Sequence, residues 1–346
     1  MQRDATPLLT DLLKAVSRSF YLTLRMLPES VRPQIGLAYL LARTTDTIAD
    51  TELVPVARRL AALNDFRARI SSAEFASAPV SFGDLAAMQA VQPGGGTHAE
   101  RMLLERADEM VGLLACFPAE DQRLIREVLA TITSGQELDL QRFGNATAGN
   151  IHALSTDAEL HDYTYGVAGC VGEFWTKMCR AHVFPRAGLD DAALLRDGVR
   201  FGKGLQLVNI LRDLPRDLKQ GRCYIPTERL ERVQLKPDEL LHAPSIAKLR
   251  PVYDELLDIA DAHLAAGWHY TNSLPRSAVR VRLACAWPIL IGAKTLTRLR
   301  WENPLDDGRR VKVSRTEVKR IVGATLLRYP FPGAWQRLFD RGADPD

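Results

Sequence analysis

Apolar residues recur at helical spacing along nearly all of this 346-residue chain, and alternating β-branched runs are all but absent. A period near 3.6 places residues i, i+3, i+4 and i+7 on one side, so each segment must bury a stripe against other helices. The predicted helices cover 7–27, stopped by Pro28; 30–52, ending before Pro55; and 54–75. Further helices are expected over 98–115, 119–143 (led by Pro118), 157–182, 189–214, 245–273, 277–300 and 314–328. Only a short piece such as Cys223–Ile225 reads as strand. The stretch 92–97, Gln-Pro-Gly-Gly-Gly-Thr, reads as a flexible loop. With no linker composition and no internal repeat, the expectation is all-α: one domain, 1–346, of helices around a central cavity.

Bulk composition narrows the function classes. An apolar fraction of 46% supplies a globular core. Lys plus Arg number 45 against 42 acids, and a net charge of +3 gives no footing for nucleic acid as a partner. Five scattered cysteines without metal spacing read as reduced core thiols of a cytoplasmic protein. Asp4 and Asp11 interrupt the start, so no signal peptide is expected. The most apolar run, Leu283–Ala293, falls short of the roughly 20 residues a bilayer crossing takes, and contains Pro288. It is expected to be a core helix.

Two acidic motifs carry the chemistry. Asp46-Thr-Ile-Ala-Asp50 and Asp213-Leu-Pro-Arg-Asp217 each place two aspartates at i and i+4, one turn apart on one helix face. Gln206, Asn209, Asp213 and Asp217 form a polar stripe, with Leu207, Leu211, Leu214 and Leu218 beside it. Amide and carboxylate oxygens are the donors Mg²⁺ prefers. Tyr39, Arg43, Asp46 and Asp50 share a face in the same way, and an arginine one turn before the pair suits an anion bridging metal and protein. The plain alternative is two acidic, solvated helix ends. Pro215 removes a backbone donor and disfavours helical geometry at Leu214, so a kink or end is expected there.

Four segments, in order, resemble the squalene and phytoene synthase family. They are Ser17-Arg18-Ser19-Phe20, Tyr39 through Asp50, Tyr163 through Gly172, and Gly204 through Asp217 running on to Gly221–Pro226. The resemblance implies an isoprenoid synthase fold with the two motifs on opposite walls of a deep apolar pocket. It implies Mg²⁺ held by Asp46, Asp50, Asp213 and Asp217 with Asn209 and Gln206. Ser17, Arg18, Ser19, Tyr39, Arg43, Arg212 and Arg222 would bind the diphosphate substrate, and Tyr163 would face the reacting carbons. Gly166, Gly169 and Gly172 would admit a prenyl tail or pack helices.

Two departures bear on the product. Family members commonly carry Glu before the last Asp of the second motif, where this chain has Arg216 after Pro215. The first motif has Thr47 where carotenoid-forming members have a second Asp, and Ala284-Cys-Ala-Trp-Pro288 is similar to a stretch of squalene synthases. The resemblance therefore implies a bacterial squalene synthase, joining two farnesyl diphosphates via presqualene diphosphate and reducing with NADPH. The alternative stops at presqualene diphosphate, or forms a phytoene or dehydrosqualene type of product, without reductant. A member without activity, serving as a binding protein, is the reading from another class; four intact aspartates oppose it. His161 and His269 are expected to be structural and Trp175, Trp268 and Trp287 to pack. Basic residues of Arg298–Arg315 are expected to form a solvated face with weak attraction to a membrane surface.

Overall fold

The structure, a computed structural model, describes residues 11–17, 21–72, 79–91, 97–306, 308 and 310–342. Its contacts divide the chain into two compact units, residues 1–144 with 177–185 and residues 145–176 with 186–346.

In the first unit the main helices are α1 (Arg32–Ala49), α2 (Val56–Ser71), α3 (His98–Glu105) and α4 (Ala119–Phe143). Pro33 starts α1, Pro55 and Pro118 stand at the N-caps of α2 and α4, and Thr97 with Glu100 forms a capping box for α3. α1 buries Ile35, Leu37, Leu40, Leu41 and Ile48, and α4 buries Leu124, Ile125, Val128, Leu129 and Ile132. Two expected helices are interrupted. The 7–27 run is α-helical at Leu13–Val16 and Tyr21–Met26, with Ser17 closing the first piece, and the 98–115 run breaks at Arg106 before Ala107–Leu114. Of the expected 92–97 loop, all but Thr97 lies outside the described residues.

The second unit contains α5 (Asp157–Thr164), a π-helical turn (Tyr165–Gly169), the first part of α6 (Cys170–His182), α7 (Asp191–Lys219), α8 (Ile246–Ser273), α9 (Val279–Trp301), α10 (Arg315–Arg328) and α11 (Pro332–Gly342). α7, α8 and α9 pack on one another as the centre of this unit. α6 lies almost backbone to backbone on α7. A Cβ on Gly172 would fall 1.9 Å from the Gly198 carbonyl oxygen, so glycine alone permits the approach. Gly172 is therefore a helix-packing residue. Two short parallel strands, β1 (His152–Ala153) and β2 (Arg222–Cys223), pair in the same unit. Trp175, Trp268 and Trp287 are buried as expected, and so are four of the five free cysteines. Among the described residues no helix is long and apolar enough to cross a membrane.

Candidate active site

α1 carries the first carboxylate pair in its last turns. Asp46 and Asp50 reach the surface while Thr45, Thr47 and Ile48 beside them are buried. The Asp46 carboxylate accepts a hydrogen bond from Gln136 of α4 and lies 3.5 Å from Arg43. Arg43 in turn donates to Glu100 of α3 at 2.5 Å. Asp46 keeps 46% of its side-chain surface, yet protein is dense around it. That burial, with the charge of Asp50, outweighs Arg43 and Gln136 and pushes its carboxyl up to about 6. Burial acts on Glu100 as well, but the Thr97 amide and Arg43 outweigh it and hold Glu100 below the usual carboxylate range.

The first-motif neighbours divide into those at the carboxylates and those elsewhere. The Thr47 hydroxyl is 1% exposed and donates to the Arg43 carbonyl at 2.8 Å, so it is turned into the helix stack. The Tyr39 hydroxyl donates to the Val16 carbonyl at 3.4 Å. Ser17 is buried and donates to the Leu13 carbonyl at 2.5 Å. Arg18 and Ser19 lie outside the described residues.

α7 presents the second motif as its periodicity requires. Gln206, Asn209, Asp213 and Asp217 keep accessible surface, and Leu207, Leu211, Leu214 and Leu218 are buried. Asn209 Nδ2 donates to Gln206 Oε1 at 3.4 Å. Arg212 grips Asp213 through two bonds of 3.0 and 2.5 Å, and Arg310 adds a third at 2.8 Å. Burial alone would raise the Asp213 carboxyl; the two guanidinium groups reverse this and hold it below the usual range.

The helix does not end at Pro215. It runs on to Lys219, which keeps Asp213 and Asp217 on one continuous helix. Proline has no N–H, so the Leu211 carbonyl lacks its donor from residue 215. The fully buried Tyr253 hydroxyl of α8 supplies one at 2.9 Å. Past α7 the chain turns at Gly221, whose φ of 81° favours glycine, and enters β2 with Arg222. Tyr163, on α5, stacks on Tyr224 with ring centroids 4.6 Å apart. The π-helical turn begins two residues after Tyr163, in the manner of such bulges at functional sites.

Among the described residues no three His, Cys, Asp or Glu side chains gather closely enough to hold an ion unaided. Each motif instead offers an accessible carboxylate pair, the second with amide oxygens alongside. That donor set fits Mg²⁺ if water and a bound ligand complete the coordination. Four contributors escape a reading by motif. Glu100 was signalled only by the Thr97-x-x-Glu100 capping pattern, and nothing local marks Gln136 or Tyr253. Arg310 sits in the basic stretch expected to be solvated. That stretch is largely paired: Arg298 binds Glu317, and Arg300 binds Asp258 and Asp261.

The sequence matches the family model described as squalene/phytoene synthase over residues 13–317. It is 28% identical to a presqualene diphosphate synthase of Zymomonas mobilis, with 91% of this chain and 89% of that protein aligned. A presqualene diphosphate synthase of Rhodopseudomonas palustris is 27% identical, over 77% of this chain and 78% of its own. Among solved structures, the complex of TcSQS with the ligand BPH1237 superposes with a TM-score of 0.76 at 21% identity, covering 98% of both chains. The likeness shows the fold, an all-α isoprenoid synthase.

Proposed function

Since this chain belongs to the squalene/phytoene synthase family, whose members are prenyltransferases condensing prenyl diphosphates, we propose that it joins two farnesyl diphosphates and stops at presqualene diphosphate. The observation that carries the choice of product is the likeness to two presqualene diphosphate synthases, over 91% and 77% of this chain. In that reaction C1 of one molecule loses diphosphate and is attacked by the double bond of the other. Loss of a proton then closes a cyclopropane, so diphosphate and one proton are released and no reductant is consumed.

Residues of both motifs have roles in this reading. Asp46, Asp50, Asp213 and Asp217, with Asn209 and Gln206, would hold Mg²⁺. The ion supplies positive charge to a leaving group of high negative charge. Arg43, Arg212 and Arg222 would bind diphosphate oxygens by charge-assisted bonds. Tyr163, its ring braced on Tyr224, would offer an aromatic face to cationic carbon. Ser17, Arg18, Ser19 and Tyr39 remain assigned to the substrate by resemblance.

The reading with NADPH leans on Thr47 and on Ala284–Pro288. Thr47 is turned away from the carboxylates, and Ala284, Cys285, Ala286 and Trp287 are buried in α9. Neither segment therefore supports a reductive second half-reaction. We place the protein in the cytoplasm. Purified protein given farnesyl diphosphate and Mg²⁺ is expected to yield presqualene diphosphate by mass, with or without NADPH. Squalene formed only when NADPH is present would restore the reductive reading, and a phytoene-type hydrocarbon formed without it would overturn both.

A further inference from the structure

α10 is oriented by its interior side. Thr325 is buried and accepts from the Trp287 indole at 2.9 Å. Its outer side carries Lys319 and Arg320, then, seven residues on and so on the same face, Leu326 and Leu327. These leucines are 50% and 76% exposed, and Phe331, in the turn to α11, is 63% exposed. Three large apolar side chains within six residues, all facing water, form a patch rather than scattered exposure.

The patch is fixed in place and ringed by cations. The Tyr329 hydroxyl donates to the Arg276 carbonyl at 2.6 Å, and Arg276 donates to the Pro330 carbonyl. The α10–α11 turn is thereby tied to the α8–α9 turn, where Arg276 and Arg280 are exposed and Val279 is 38% exposed. Arg328 and Arg337 complete the basic rim, against Asp340 as the acidic residue of α11. Glu317, on α10, is already bound by Arg298 and Lys294.

We infer that this end of the second unit docks on an anionic membrane surface, with Leu326, Leu327 and Phe331 entering the headgroup layer and the arginines and lysines meeting lipid phosphates. Apolar side chains give insertion depth, and basic residues add long-range attraction that salt screens. A second copy of the chain is a poor occupant, because a symmetric contact would bring two arginine-rich rims together. The site differs from the basic stretch Arg298–Arg315 expected from the sequence, where Arg298, Arg300 and Arg310 are held in ion pairs. It stands whichever product the enzyme releases.

The test is cosedimentation of the full chain with vesicles of phosphatidylcholine, alone or with added phosphatidylglycerol. The protein is expected to bind the anionic vesicles, to leave them as salt rises, and to ignore the neutral ones. Leu327→Glu with Phe331→Glu is expected to weaken that binding about tenfold or more. Thermal melting and turnover of farnesyl diphosphate in detergent-free buffer should stay unchanged, because both side chains face water. Arg276→Glu with Arg337→Glu should weaken binding and remove its salt dependence. Failure of the wild type to bind anionic vesicles would overturn the inference. So would equal binding by the Leu327/Phe331 variant, or a shift of that variant from dimer to monomer with vesicle binding intact.

Discussion

At the residue scale the first motif turns on how Asp46 is held. Its carboxyl sits beside Asp50, one arginine and one amide, in dense protein, and titrates near 6 against an ordinary value of 3.8. The folded pKa is the higher one, so between those values the folded chain holds a proton that the unfolded chain has released. Stability contributed by this group is therefore lost as pH rises through about 6. In a chelator-containing buffer, Asp46→Asn is expected to remove that decline from a plot of melting temperature against pH. A slope unchanged by the substitution would show that Asp46 is an ordinary carboxylate. Protons also compete with the cation, so the Mg²⁺ concentration for half-maximal activity should rise as pH falls below about 6. The carboxylate pair was legible from its i, i+4 spacing. Gln136 and Glu100 were not, because each reaches the motif from a separate helix; Gln136 lacks any local mark, and the capping pattern at Thr97 and Glu100 signals a helix start, not a partner for Arg43.

At the scale of an element, α7 shows where local rules stop. A proline inside a helix costs about 3 kcal/mol relative to alanine, through the lost hydrogen bond and a clash with the preceding turn. On that ground the helix is expected to end or kink near Pro215, in which case Asp217 need not sit directly above Asp213. The compensating donor, Tyr253, comes from α8, 42 residues from the carbonyl it serves. Nothing in the segment 204–221 announces it. The pairing makes a double-mutant cycle informative. In the wild-type background Tyr253→Phe leaves the Leu211 carbonyl buried and unpaired, and urea denaturation should register a loss of about 1–3 kcal/mol. With Pro215→Ala the residue-215 amide can donate to Leu211 instead, and the same tyrosine change should cost well under half as much. Equal costs in the two backgrounds would mean that the hydroxyl is not standing in for the missing amide.

For the whole molecule, helical periodicity over most of the chain was enough to expect an all-α protein. It did not reveal two compact units, because the chain passes between them at 144–145, 176–177 and 185–186. The second of these passages lies inside α6, so no Pro/Gly-rich linker marks it. No cluster of three His, Cys, Asp or Glu side chains that could hold an ion occurs among the described residues, and Mg²⁺ takes six oxygens. A carboxylate pair leaves most of that shell to water and to diphosphate, while diphosphate without the ion faces the aspartates' own negative charge. Each ligand should then bind weakly alone and strongly with the other. Linkage converts this into stability: ligand at a hundred times its Kd adds about 2.7 kcal/mol. Melting curves should therefore move little with Mg²⁺ or inorganic diphosphate added singly, and rise by several degrees, roughly 2–4 °C per kcal/mol in domains of ordinary size, when both are present. Asp213→Asn should abolish the joint shift while leaving the ligand-free melting temperature high enough to measure. A full shift with Mg²⁺ alone would mean that the protein chelates the ion without help from its substrate.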